Sequence, residues 1–218
     1  PLNTTGPLGG LDVSFFLFTL PAWDIARGWL LMVVLAALVG AALTAGAGWR
    51  GWAIRSRVLV QLAILGAIAL ALIAFQYRID AYKLVYSARG SFLGAGYTDV
   101  HAQLPAYNLL AILTLAAAVL LIVMAVLRRG GRAILAVLGA WVVTALVAGV
   151  VYPSFVQRFQ VAPNELNLER PYIEDNINFT RAAFGLDEVV TQQYDASRQL
   201  TPEALLEEPE TVRSIRLW

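Results

Sequence analysis

Four stretches of this chain run for 20 residues or more without one charged side chain. GWLLMVVLAALVGAALTAGAGW lies between Arg27 and Arg50, and VLVQLAILGAIALALIAFQY between Arg57 and Arg78. AQLPAYNLLAILTLAAAVLLIVMAVL separates His101 from Arg128, and AILAVLGAWVVTALVAGVVYPSFVQ separates Arg132 from Arg158. A helix rises 1.5 Å per residue, so crossing ~30 Å of hydrocarbon takes about 20 residues. Each run is long enough, and none shows the polar-apolar alternation of a helix lying against a soluble core. The pattern therefore reads as an all-α integral membrane protein with four transmembrane helices, at about 28–49, 58–77, 107–127 and 133–152.

Composition agrees. The chain is 59% hydrophobic and 14% charged, against roughly 45–50% and about 25% for soluble domains. That leaves too little charge to coat a water-soluble body, which excludes an ordinary cytosolic enzyme and a disordered chain. The absence of cysteine excludes a disulfide scaffold.

The formal net charge of +1 conceals an asymmetry. Residues 1–157 carry ten Lys/Arg and four Asp/Glu, whereas residues 158–218 carry six and eleven. Short loops rich in Lys and Arg stay on the cytoplasmic side. Arg50, Arg55 and Arg57 fill the link between the first two spans, and Arg128, Arg129 and Arg132 the link between the last two. These six arginines mark both links as cytoplasmic and can also meet lipid head groups. The N-terminus, the 78–108 loop and the C-terminal segment then face outward. The chain thereby divides into three regions: an outer, interfacial lead-in over 1–23, a four-helix membrane region over 24–157, and an acidic, helical extracytoplasmic tail over 158–218. Phe15, Phe16 and Phe18 are expected at the headgroup boundary. Trp141, deep in the fourth span, is expected to pack on a neighbouring helix.

Within a bilayer, helices associate through close backbone approach and polar contacts rather than hydrophobicity. Small residues recur every four positions on three spans: Ala36, Gly40, Thr44 and Gly48 on the first, Ala63, Ala67 and Ala71 on the second, and Ala136, Ala140, Thr144 and Ala148 on the fourth. Short links fold neighbouring spans into two antiparallel hairpins, one with two and three with four. No charged residue or histidine lies within a span so drawn, although ion-coupled transporters commonly keep such groups there.

Outside the spans, chemistry-bearing residues are few. His101, the sole histidine, follows Asp99 by two positions, a spacing that can orient an imidazole. One histidine without cysteine makes a poor metal site, and a loop hydrogen bond is the simpler expectation. No GxSxG, P-loop, HExxH or CxxC occurs, so no catalytic residue, cofactor or metal is assigned. The glycine-rich GSFLGAG reads as a flexible turn. In the tail, Asn164 to Phe184 reads as a helix stopped by Gly185, and Thr201-Pro202-Glu203 as the start of a second.

The segments LVYSARGSFLGAGYTDVHAQLPA (84–106), YPSFVQRFQVAPNELNLERPYIEDNINFTRAAFGLD (152–187) and PETVRSIRLW (209–218) resemble those of uncharacterised protein family 0182, as does LDVSFFLFTLP (11–21). The resemblance implies a large bacterial multi-pass membrane protein, of which this chain holds the last four spans and the start of a long extracytoplasmic region. It implies no activity and no catalytic residues. The leading expectation is a non-enzymatic subunit of the bacterial inner membrane, with both termini extracytoplasmic, that scaffolds a larger complex. Its partners would be the bilayer and other membrane subunits, with no nucleic acid and no small-molecule substrate. The alternative is the membrane part of a transporter or lipid-handling protein whose path needs helices absent from this chain. Gln61, Thr144 and Asn108 are the polar residues that would line such a path.

Overall fold

The structure is a computed structural model that describes residues 11–47, 52–90, 92–127, 131–190 and 213–214. The regular structure of these residues is helical. The chain divides into two units, residues 1–179 and 180–218.

In the first unit, α1 spans Leu20–Ala47 and α2 spans Trp52–Lys83. Then come α3 (Leu104–Val126), α4 (Gly131–Leu146), the single turn α5 (Tyr152–Phe155) and α6 (Glu165–Ala183), whose last residues belong to the second unit. Four helical stretches are long and apolar enough to cross a membrane: Phe15–Thr44, Val58–Tyr86, Asp99–Val126 and Ala133–Ala183. In the second unit, α6 ends at Ala183 and Gly185 turns the chain in the left-handed region at φ 64°, as the sequence anticipates. The expected helix at Thr201 lies outside the described residues.

Prolines shape these helices. π-helical turns occupy Phe15–Thr19, Asp99–Gln103, Val147–Val151 and Val156–Val161. Each ends two residues before a proline: Pro21, Pro105, Pro153 and Pro163. A proline has no N–H, and its ring collides with the carbonyl four residues back, so the preceding turn widens. Because the widened turns stay helical, the helical run that begins with α4 does not stop at 152 but continues through α5 into α6. The lead-in is helical too, from Val13, and Asp12 just before it accepts the Ser14 N–H on its carboxylate at 2.7 Å.

The most extensive helix contact is α2 against α3, running antiparallel, with α1 laid on α2 and α4 on α3. Its core consists of Ala63, Ala67 and Leu70 with Ala117, Ala118, Leu121 and Ala125. Alanines here let the two backbones approach closely, the usual basis of packing in lipid. Val137, Leu138 and Trp141 of α4 close over this core. The Trp141 indole N–H donates to the buried Thr114 hydroxyl at 2.8 Å. A second cluster joins Phe16 and Leu20 to Ile79 near the end of α2. Phe15 stands edge-on to Tyr82 with centroids 5.3 Å apart, and the Tyr86 hydroxyl donates to the Phe16 carbonyl. Of the three lead-in phenylalanines expected at the lipid boundary, Phe16 is buried in this contact and Phe18 is exposed.

Candidate functional site

A knot of polar side chains fastens the loop after α2 to the helical run after α4. Tyr97 donates its backbone N–H to both oxygens of Glu169, at 3.2 and 3.0 Å. Glu169 is 1% exposed although it sits on an otherwise polar helix. A carboxylate taken from water needs donors of this kind. Gly96 makes the approach possible: a Cβ there would lie 2.8 Å from Glu169 Oε2. The stretch expected as a flexible turn is thus gripped. Gly94 adopts φ 147°, and Asn176 Nδ2 donates to the Leu93 carbonyl at 2.9 Å.

Arg89 holds the centre of the knot. Its guanidinium lies 3.0 Å from Asp99 Oδ1 and donates to Gln103 Oε1 at 2.9 Å. Asp99 Oδ2 accepts the Gly96 N–H at 3.3 Å. Gln103 passes the chain of contacts on, donating to the Gly149 carbonyl at 3.1 Å. Gly149 lies four residues before Pro153, so its carbonyl has no N–H to receive from that position. Nearby, the Thr98 hydroxyl donates to the Gln157 amide oxygen, and Ala102, Val156 and Val161 form a small apolar floor.

Asp99 and His101, paired by spacing in the sequence, do not pair here. Asp99 turns inward to Arg89, while His101 is exposed and stacks on the Tyr97 ring at 4.2 Å. Its Nδ1 lies 3.2 Å from the Tyr97 carbonyl and 3.3 Å from the Tyr172 hydroxyl. A carbonyl only accepts, so this contact selects the tautomer protonated at Nδ1. Among the described residues no three His, Cys, Asp or Glu side chains gather as a metal site would require. The knot is a fastening device: its carboxylates are occupied by donors from the same chain.

A second polar group lies where α1 begins and α2 ends. Lys83 pairs with Asp24 at 2.8 Å, Arg27 Nε donates to the Leu72 carbonyl at 3.4 Å, and Gln76 donates to Asp80 at 2.6 Å. The expected spans leave Asp24, Arg27, Asp80 and Lys83 outside, yet α1 and α2 continue through them.

The small-residue stripes fare differently from one another. Ala63 and Ala67 are buried against α3, while Ala71 is exposed. Ala36, Gly40 and Thr44 are exposed, and a Cβ on Gly40 would meet nothing within 4 Å. Ala136 and Ala140 are exposed as well, whereas Thr144 and Ala148 are half-buried. Thr44 and Thr144 return their hydroxyls to carbonyls of their own helices. Gly48, Arg50, Arg128 and Arg129 lie outside the described residues, and only the backbone of Arg55, Arg57 and Arg132 is described. Of the three candidate path residues, Gln61 is exposed and Asn108 alone lines the groove between α2 and α3.

Nothing in the local sequence marks Glu169, Gly96, Arg89 or Gln103 for this contact. A glutamate in the opening turns of a helix looks like a solvated helix-dipole partner, and only the fold shows it buried.

The chain matches curated bacterial proteins throughout. It is 38% identical over 228 residues to a UPF0182 protein of Moorella thermoacetica, covering 100% of this chain and 24% of that protein. A UPF0182 protein of Desulforamulus reducens is 37% identical over 222 residues, covering 99% of this chain and 24% of that protein. One from Nostoc is 36% identical over 230 residues, covering 100% and 23%. The chain thus spans about a quarter of the length of these relatives. No solved structure matches it. The profile of the uncharacterised protein family (UPF0182) matches residues 1–218, and the chain belongs to that family.

Proposed function

We propose that this chain is a non-enzymatic packing module of the bacterial inner membrane, which scaffolds a larger assembly and mounts an extracytoplasmic region. Its four spans form two hairpins, α1 with α2 and α3 with α4, with arginine-rich links in the cytoplasm and both ends of the chain outside. The observation that carries this reading is the outward small-residue face of α1, where Gly40 has open space over its Cα. Such a face fits the backbone of another helix. Its partner comes from the remaining three-quarters of the polypeptide or from another membrane subunit. The knot around Glu169 suits a mount, because it ties the end of the fourth span to the loop beside it.

In the full-length protein, Gly40→Leu and Ala140→Leu should loosen the assembly, lowering its melting temperature in mild detergent or dissociating it. Overpacking of this kind costs about 1–3 kcal/mol. If both variants are as stable as the wild type, the reading fails, since on helix propensity alone Gly40→Leu is favourable.

A further inference from the structure

We infer that the groove between α2 and α3 is a binding site for an anionic phospholipid, with the phosphate at Arg78 and one acyl chain in the groove. The groove holds about 570 Å³. Ala71, Ala74 and Ala111 form its floor, and the absence of larger side chains there is what makes it a trough. Phe75, Ile112 and Leu115 form its walls and are 38%, 67% and 50% exposed.

Arg78 and Asn108 stand together at one end, where the Arg78 guanidinium donates to the Asn108 amide oxygen. Arg78 follows the last residue of the uncharged run of α2, which is the depth of lipid head groups. No carboxylate among the described residues pairs with it, whereas Lys83 is paired with Asp24 and Arg89 with Asp99. A guanidinium carries five N–H donors, so most remain for the oxygens of a phosphate.

Below Arg78 the groove follows α2 back to Ala71 and α3 on to Leu115. Seven residues of helix on each side give a length of ~10 Å, about two-thirds of one leaflet's ~15 Å of hydrocarbon. A cation over a short apolar trough complements a phosphate over an acyl chain. The site rests on the helices crossing a membrane. In the orientation proposed for the spans it belongs to the outer leaflet.

The test uses full-length protein in phosphatidylethanolamine vesicles that contain phosphatidylglycerol with a diazirine on its acyl chain. After irradiation, adducts are mapped by peptide mass spectrometry. Adducts should concentrate on Phe75, Ile112 and Leu115 over Val119 and Val126, which are 60% and 64% exposed. Arg78→Gln should lower the groove adducts about tenfold. Replacing the probe with diacylglycerol bearing the same chain should do the same in the wild-type protein, independently of how the variant folds. Adducts spread evenly over exposed positions, or insensitive to both changes, overturn the site. Adducts on Val119 and Val126 with none in the groove overturn it in favour of a helix seated there. No adducts on any of the four helices would overturn membrane insertion itself.

Discussion

Glu169 and Gly96 illustrate how one missing Cβ sets a contact between residues distant in sequence. Gly96→Ala would place a methyl group 2.8 Å from Glu169 Oε2 and push the carboxylate off the Tyr97 N–H. Glu169→Ala removes the acceptor outright. Leaving a buried donor unsatisfied costs about 1–3 kcal/mol. Each variant should lower stability by about that amount, and the double variant by less than the sum, because both break one contact. Thermal unfolding of the full-length protein in detergent checks this, and additive losses would contradict it. Trp141 offers a second check. Trp141→Phe keeps the ring but strands the buried Thr114 hydroxyl. It should cost about 0.6–1.7 kcal/mol, the range of interhelical hydrogen bonds in membranes, and Thr114→Val in addition should cost little more.

The elements are legible in the sequence to unequal degrees. Charge-free runs locate the four long helices, because a bilayer demands length and apolarity from each span independently of its neighbours. The fourth span is expected at about 133–152, with a separate tail helix from Asn164. The structure instead widens the turn ahead of Pro153 and carries the helix on to Ala183. The π turns have a sequence signal after all, a proline two residues beyond each. The knot has none, because Tyr97 and Glu169 meet across 72 residues and nothing in local pattern records a tertiary contact. Spacing likewise suggests an Asp99–His101 pair, but the widened turn at Asp99–Gln103 carries their side chains to different partners. Pro153→Ala restores an N–H that competes for the Gly149 carbonyl and favours a regular turn. Removing one extra residue from a turn rotates the rest of the helix by about 100°, which would draw Glu169 away from Tyr97. Faster hydrogen exchange at the Tyr97 amide is the expected outcome, and unchanged exchange would contradict this role for Pro153.

At the scale of the molecule, α2 and α3 form the packed centre, while α1 and α4 bury little of their surface within the described residues. In the proposed membrane setting lipid would cover most of such a face, but a row of small residues presents little surface to lipid and much access to a helix backbone. The chain spans about a quarter of its relatives' length, and the proposal places the partner helix in further polypeptide or in another membrane subunit. If the chain scaffolds an assembly, the Ala36–Gly40–Thr44 face of α1 meets protein. Single cysteines at Gly40 and at Val119, in full-length protein in native membranes, test it through reaction with a membrane-soluble maleimide. Residues 1–218 contain no cysteine of their own to confuse the signal. The cysteine at position 40 should be protected while that at 119 reacts. Equal reaction at both would contradict it.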